Sequence, residues 1–251
     1  MPELHSVVEY LDRFLKTADV VDYPGAMNGL QVENSGRVEK IGAAVDACEP
    51  VIIEAAARGV SLLVVHHGLF WQGAQPITGA AFRKLKVAME YDMAIYSSHL
   101  PLDLHPTVGN NALLCRALGL KQTQPFFFEK GQAIGLQAEA SLSIGDLARR
   151  LEDAVEGAPH LCPGGPSRTR RIGVVTGGAG SQVAKAAAEG VDTFITGEGP
   201  HWSYTAAEEL GINLFYGGHY ATETFGVKAL ATHLSKRLKV PWEFIDHPTG
   251  L

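Results

Sequence analysis

The sequence predicts an α/β protein made of two related lobes, each with a mainly parallel sheet flanked by helices. Three observations lead to this prediction. Short β-rich runs alternate with segments of helical periodicity, several predicted helices end at glycine, and two parts of the chain resemble each other in order and composition. Strands that are joined through helices pair mainly in parallel and carry helices on both faces.

The first half contains three predicted strands. Apolar residues at helical spacing predict an amphipathic first helix that ends before the Asp-Tyr-Pro-Gly turn at Pro24. The pattern then predicts strands at 41–45, 62–65 and 94–97, with helices at 50–59, 82–91 and 111–118.

The second half repeats this alternation after a connection. The stretch 156–171 is rich in Gly, Pro and Ser and lacks periodicity, which is typical of a long loop. The predicted strands that follow are 172–176, 193–196 and 213–216, and the predicted helices are 181–189, 203–210 and 221–238.

Two pairs of segments indicate an internal duplication. Residues 55–67 correspond to 186–198, because each has a helix end, a capping glycine and a strand in the same order. Residues 96–103 correspond to 216–223. We therefore expect one lobe at 1–126 and a second at 127–251. Whether the last helix and strand pack back on the first lobe is left open.

Composition excludes several classes of protein. The net charge is −6, and only Arg168, Arg170 and Arg171 form a basic cluster, so we expect no nucleic-acid polymer as partner. No apolar stretch approaches the roughly 20 residues that span a bilayer, and the first residues do not resemble a signal peptide. The three cysteines are far apart. A cytoplasmic protein with no membrane association is expected.

His66 and His67 directly follow a predicted strand. Parallel sheets bind ligands at the carboxyl ends of their strands, and Gly68 allows the chain to leave the sheet there. Adjacent residues on a strand face opposite ways, so both imidazoles reach one site only where the strand ends. A hydrogen-bonded structural pair is an equally good interpretation of these two residues alone.

Two further His and carboxylate pairs occupy equivalent places in the proposed duplication. His99 and Asp103 follow the strand 94–97, and His219 and Glu223 follow the strand 213–216. A helix that begins near Ala221 would place the second pair one turn apart. Each pair taken alone is more typical of capping or solvated residues.

Together, these three groups favour a metal site. Imidazole and carboxylate ligands without thiolate suit Zn, Mn, Fe or Ni better than Ca or Mg. Six candidates exceed the needs of one tetrahedral ion, so we expect two divalent transition-metal ions per chain, with a carboxylate bridging them.

Other features give weaker indications. Glu198, the counterpart of His67, is interpreted as a catalytic base, an acceptor for a ligand histidine or a residue at a helix start. His201 and Trp202 could edge a base-stacking pocket, although packing is the commoner role. The Gly-rich loop 176–181 could form an anion-binding nest, but it lacks the Walker lysine and the dinucleotide spacing, so a tight turn before a helix is the preferred interpretation. Five histidines without a partner pattern are interpreted as surface or structural: His5, His105, His160, His233 and His247.

Six motifs resemble those of the NGG-interacting-factor family, whose bacterial members are called GTP cyclohydrolase I type 2 homologues. They lie in family order along nearly the whole chain. The motifs are Asn28-Gly-Leu-Gln-Val, Val65-His-His-Gly-Leu-Phe-Trp, Ser98-His-Leu-Pro-Leu-Asp, Gly109-Asn-Asn, Phe194-Ile-Thr-Gly-Glu and Gly217-Gly-His-Tyr-Ala-Thr-Glu.

The resemblance implies a dinuclear metal centre inside a toroidal homohexamer whose metal sites face an internal cavity. It implies that His66, His67, Asp103, His219 and Glu223 are the ligands and that Glu223 bridges the ions. His99 then becomes a group that supports the ligands or faces the substrate, whereas the spacing alone would make it a candidate ligand.

Two functions are expected from this site. The first is a metal-dependent hydrolase that acts on a nucleotide or another small phosphate-bearing molecule, including GTP ring opening, with His99 or Glu198 moving protons. The alternative is a non-enzymatic protein that binds or handles metal, or an interaction protein, in which the same ligands hold ions without turnover. The family resemblance fixes the site more firmly than the substrate, so both remain open.

Overall fold

The computed structural model describes residues 1–73 and 75–251. Its helices are α1 Leu4–Leu15, α2 Glu49–Ala57, α3 Gly79–Glu90, α4 Leu100–Asp103, α5 Asn110–Ala117, α6 Ile144–Val155, α7 Val183–Ala188, α8 Trp202–Leu210 and α9 His219–Leu238. Its strands are β1 Gly29–Val32, β2 Ile41–Asp46, β3 Leu62–His67, β4 Ala94–Ser97, β5 Gln124–Glu129, β6 Gln132–Glu139, β7 His160–Pro163, β8 Arg171–Val174, β9 Thr193–Thr196, β10 Asn213–Tyr216 and β11 Trp242–Phe244.

The chain forms two compact units. The first comprises Met1–Leu102 and Gly226–His247, and the second comprises Asp103–Phe225 and Pro248–Leu251. Each contains one sheet with helices, so the predicted α/β fold is confirmed. The interpretation of the chain as two related lobes that divide near residue 127 stays a prediction.

The first unit contains a five-stranded sheet in the order β1-β4-β3-β2-β11. The pairs β2–β3, β3–β4 and β2–β11 are parallel, and β1 pairs antiparallel to β4. The central run Leu62–Val65 is fully buried, as expected for a strand covered on both faces. The late strand β11 pairs with β2, so the segment Gly226–His247 contributes a strand to this sheet.

The second unit contains a mixed six-stranded sheet in the order β5-β6-β8-β9-β10-β7. Strands β8, β9 and β10 are parallel, while the hairpin β5-β6 and the edge strand β7 pair antiparallel. The predicted long loop 156–171 therefore contains a strand. Its four residues are too few to show alternation, and only Cys162 among them is buried.

The core of the second unit lies between the sheet and helices α5 and α6. Helix α6 begins at the N-cap Ser143, whose hydroxyl accepts a hydrogen bond from the Asp146 amide at 3.0 Å. Its apolar face buries Leu147 and Leu151 in a cluster that includes Ile172 and Phe215. None of the helices in the described part of the chain has both the length and the hydropathy that crossing a lipid bilayer demands.

A pair of leucine substitutions tests this core. Leu147 is fully buried, so Leu147→Ala should lower the free energy of unfolding by about 2–5 kcal/mol through lost burial and a residual cavity. Leu210 is 44% exposed, and Leu210→Ala should cost less than about 1 kcal/mol. Urea unfolding followed by circular dichroism measures both. Equal losses would contradict the assignment of Leu147 to the core.

Candidate metal-binding site

In the first unit, His66 and His67 are the last two residues of the central strand β3. His66 is fully buried, and its Nδ1 donates to the backbone carbonyl of Ser98 at 3.0 Å. The Nδ1 of His67 donates to Asp46 Oδ1 at 2.9 Å, and Asp46 is the register partner of His67 on β2. Because a carbonyl or carboxylate oxygen only accepts, each ring carries a proton on Nδ1, and Nε2 is the nitrogen left for another ligand.

His99 follows β4 and is fixed in the same manner. Its Nδ1 donates to Asp22 Oδ1 at 2.8 Å, and its backbone amide donates to Asn28 Oδ1 at 2.7 Å. Burial raises the pKa of Asp22, but hydrogen bonds and the charge of His99 outweigh it, so the pKa is lowered overall. Asp22 also accepts from Asn28 Nδ2 at 2.8 Å and from the Leu100 amide at 3.0 Å.

The three imidazoles converge. One ring nitrogen from each of His66, His67 and His99 lies within 4.8 Å of the others, a grouping that can hold a metal ion. The Trp71 ring stands perpendicular to His99 at a centroid distance of 4.9 Å and forms a wall of this group. The structure therefore places His99 beside both histidines of β3.

Gln31 fixes the loop that follows β3. Its Oε1 accepts from the Leu69 amide at 2.7 Å, and its Nε2 donates to the Met27 carbonyl at 2.8 Å. A Cβ at Gly68 would lie 2.3 Å from the Gln31 amide nitrogen, so a larger residue here would displace the Gln31 side chain from these contacts. The motif Asn28-Gly-Leu-Gln-Val thus supports both histidine-bearing segments.

In the second unit, Asp103 is buried with 6% exposure and is held by two asparagines. Asn110 Nδ2 donates to Asp103 Oδ1 at 2.7 Å. Asn111 Nδ2 donates to the Asp103 carbonyl at 3.3 Å, and its Oδ1 accepts from the Thr176 amide at 2.9 Å. The motif Gly109-Asn-Asn therefore fixes Asp103 and links it to the loop after β8.

His219 and Glu223 lie one turn apart at the start of α9. His219 Nε2 is 3.2 Å from Glu223 Oε2, and His219 Nδ1 donates to Glu198 Oε1 at 2.8 Å. Glu223 is only 3% exposed. Burial lowers the pKa of His219, but the hydrogen bonds and charges of Glu223 and then Glu198 raise it to about 9.

The Gly-rich loop after β8 surrounds these acids. Gly177 has φ of +75°, and a Cβ there would lie 2.2 Å from Glu223 Oε1. Its amide donates to Thr222 Oγ1 at 3.1 Å, and its carbonyl accepts from the Gly197 and Glu198 amides at 2.7 and 3.0 Å. The loop therefore brings its backbone against the Glu223 carboxylate, and it leads into a short 3-10 helix, Ala179–Gln182.

The remaining predicted residues lie apart from these contacts. His201 and Trp202 are both exposed at the start of α8, and Trp202 has 54% of its surface accessible. Asp22, Asp46 and Ser98 were not selected by sequence analysis. Each accepts from a histidine that lies at least 21 positions away in the sequence, so no local spacing marks them.

The fold and the site define a class: a two-unit α/β protein with clustered imidazoles and carboxylates at the carboxyl ends of parallel strands. The family is shown by comparison. A model of the Duf34/NIF3 (NGG1p interacting factor 3) family matches residues 2–249, and the chain belongs to this family. The resemblance found in the six motifs is confirmed.

Several relatives match over nearly their whole length. The GTP cyclohydrolase 1 type 2 homolog of Deinococcus radiodurans is 38% identical over 98% of this chain and 93% of its own. TTHA1606 from Thermus thermophilus has a TM-score of 0.91 and 40% identity, covering 99% of this chain and 100% of that one. Reduced HcgD from Methanocaldococcus jannaschii has a TM-score of 0.87 and 28% identity, with 98% of each chain covered.

Gly177→Ala tests the packing of the loop against Glu223. The left-handed conformation alone costs an alanine about 1–2 kcal/mol. Gly211 has a similar φ of +69° with nothing within 4 Å of an added Cβ, so Gly211→Ala is the matched control. We expect Gly177→Ala to destabilise by at least about 1 kcal/mol more, because the methyl group overpacks a buried site. Urea unfolding measures the difference, and equal losses would show that Glu223 moves freely.

Proposed function

We propose that the chain binds two divalent transition-metal ions, chosen among Zn, Mn, Fe and Ni, through His66, His67, Asp103, His219 and Glu223, with Glu223 bridging. The observation that carries this proposal is the shared orientation of the three histidines. Each donates through Nδ1 to an oxygen of its own unit, at 2.8–3.0 Å. Metal-binding histidines are typically held in this way, because the contact fixes the ring and leaves Nε2 for the ion.

The chemistry of the donors fits such ions. Imidazole nitrogens and carboxylate oxygens suit borderline transition metals, whereas Ca and Mg prefer oxygen alone. The 3.2 Å between His219 Nε2 and Glu223 Oε2 is suitable for two ligands of one ion, each at about 2.1 Å.

We propose that the protein uses this centre as a metal-dependent hydrolase on a nucleotide or another small phosphate-bearing substrate, of the GTP cyclohydrolase type. The names of the relatives, GTP cyclohydrolase 1 type 2 homolog, support this class of reaction. Bound ions would supply Lewis acidity toward water and toward the bond under attack. Asp46, Ser98 and Glu198 orient the ligand rings, and His99 or Glu198 moves the proton.

The Asp22–His99 contact supports the role of His99. Asp22 fixes the tautomer, so His99 presents Nε2 beside His66 and His67. A histidine held by a carboxylate in this way is suited to accept a proton and to return it. Asp22 is a positioning residue in this proposal, since it acts through His99.

The second candidate is a protein that binds or handles metal without turnover. One observation favours it: the Nδ1 contacts that orient His66, His67 and His219 would hold bound ions equally well whether or not the protein is a catalyst. A storage or delivery role needs the ligands but no proton carrier. His99 and Glu198 therefore discriminate between the two candidates.

The proposed assembly is a toroidal homohexamer in the cytoplasm, with the metal sites facing an internal cavity. The family supports the assembly through the resemblance, and the three free cysteines fit a reducing compartment. A small-molecule substrate fits this assembly, because a closed ring of subunits would exclude large molecules from metal sites that face its internal cavity.

Metal content tests the proposed centre. Protein purified without chelator should contain about two ions per chain by elemental analysis. His67→Ala and Glu223→Ala should each remove ions, because they delete ligands, whereas the exposed His5→Ala is the control and should retain them. Asp46→Ala should weaken metal affinity by about 10–100-fold, because His67 loses the acceptor that orients it. One ion or none in the native protein would contradict the proposal.

Turnover by the metal-loaded protein separates the two candidate functions. Under the hydrolase proposal, steady-state assays on nucleotides and phosphoesters should find metal-dependent turnover that falls about 10²–10⁴-fold in His99→Ala or Glu198→Gln. Metal content should be unchanged in His99→Ala, which distinguishes a lost proton carrier from a lost ligand. Absence of metal-dependent turnover on every substrate tested would favour the protein that only binds metal.

A further inference from the structure

The second unit contains an open cavity of about 820 Å³ beside Glu198. It lies at the carboxyl ends of β9 and β10, where Gly197, Glu198, Gly217 and Gly218 line it. Sites of this volume accommodate small organic ligands, and the ends of parallel strands are their usual location in α/β folds. The metal ligands His219 and Glu223 are not among its lining residues.

Three aromatic rings form one wall of the cavity. His160 on β7 and Tyr216 on β10 are register partners, with centroids 6.4 Å apart and planes inclined by only 11°. The ring centroid of Tyr204 on α8 lies 6.0 Å from the ring centroid of His160. His160 is exposed, and it was interpreted from the sequence as a surface or structural residue. The three rings offer π-faces on which a planar ligand can stack.

Tyr216 is held rigidly in this wall. Its hydroxyl contacts the Ser203 hydroxyl, which also donates to the Pro200 carbonyl. A Cβ on Gly180 or Gly199 would lie 2.6 or 2.4 Å from the Tyr216 hydroxyl oxygen, so these glycines permit its position. A fixed ring loses little conformational entropy when a ligand binds, which favours a specific site.

Glu198 supplies the polar group of the cavity. Its Oε1 accepts from His219, and within the described residues its other oxygen has no hydrogen-bond partner, while 41% of the side chain is exposed. An ionised carboxylate only accepts, so a ligand must present an N–H or O–H donor to it. Within the described lining no residue is Lys or Arg, the usual partners of a phosphate, and His160 and His201 are the only basic side chains there.

We propose that this cavity binds a planar nitrogen heterocycle, stacked on Tyr204 and His160, that directs an N–H edge toward Glu198. Purines of the guanine type have this combination, because N1–H and the exocyclic amine donate from one edge. Adenine presents an acceptor at N1. The cavity would then be the part of the substrate site that binds the ring. Only the claim that the bound ring belongs to a substrate rests on the proposed function.

Isothermal titration of the purified protein with nucleosides tests the proposal. Guanosine and inosine should bind with one site per chain, and adenosine should bind about tenfold more weakly, because its N1 faces Glu198 as an acceptor. Tyr204→Ala should weaken guanosine binding about tenfold or more through lost stacking, and Tyr204→Phe should retain it. Glu198→Gln should reduce the preference for guanosine over adenosine to near one. Inorganic phosphate should not displace guanosine.

Tyr91→Ala is the control for general effects of removing a tyrosine, because Tyr91 is 60% exposed and lies in the first unit. Metal content is measured on the same samples. A loss of nucleoside binding with unchanged metal content then reports on the cavity, and a loss of metal reports on the metal centre. Equal binding of guanosine and adenosine, no binding of either, displacement by phosphate, or an equal loss in Tyr91→Ala would each overturn the proposal.

Discussion

The orientation of histidine rings by Nδ1 contacts is the constraint on which the candidate site depends. Imidazole rotates about two side-chain bonds and exists as two tautomers, so a histidine at the end of a strand has no fixed direction by itself. Here His66, His67, His99 and His219 each donate through Nδ1 to a carbonyl or carboxylate oxygen. The fold places each of these acceptor oxygens within hydrogen-bond distance of the Nδ1 atom that it orients.

The strand register provides one of these acceptors directly. Asp46 and His67 are paired across β2 and β3, so the sheet itself sets their separation. Other contacts depend on loops that cross long sequence distances. Asp22 lies 77 positions before His99, and Asn28 and Gln31 connect the same loop to the segments after β4 and β3. The family motifs therefore contain residues that position the candidate ligands as well as the ligands themselves.

Hydrophobic periodicity was sufficient to predict the parallel core of the fold. The strands 94–97, 193–196 and 213–216 were predicted with the bounds that the structure has, because each is a short and largely buried run between a helix and a loop. The hairpin β5-β6 and the edge strand β7 were not predicted. Their residues are only partly buried, so the apolar pattern that marks central strands is weak.

Sequence patterns select candidate residues that follow strands. They do not select residues whose partner in the folded chain is far away in the sequence. The places after strands and the family motifs select six candidate residues, and their role in binding metal stays a prediction: His66, His67, His99, Asp103, His219 and Glu223. Asp22 and Asp46 were missed, because a carboxylate in a turn or at a strand end is common and only tertiary contact identifies its partner. The sequence did not indicate that His160 lies beside Tyr216, because this neighbourhood depends on pairing between β7 and β10.

X-ray absorption spectroscopy of the metal-loaded protein tests the central claim most directly. The account predicts a first shell of nitrogen and oxygen at about 2.0–2.2 Å with the scattering pattern of imidazole. It also predicts a second metal at about 3.5–4 Å. A sulfur shell near about 2.3 Å, or a lone ion without imidazole scattering, would contradict it.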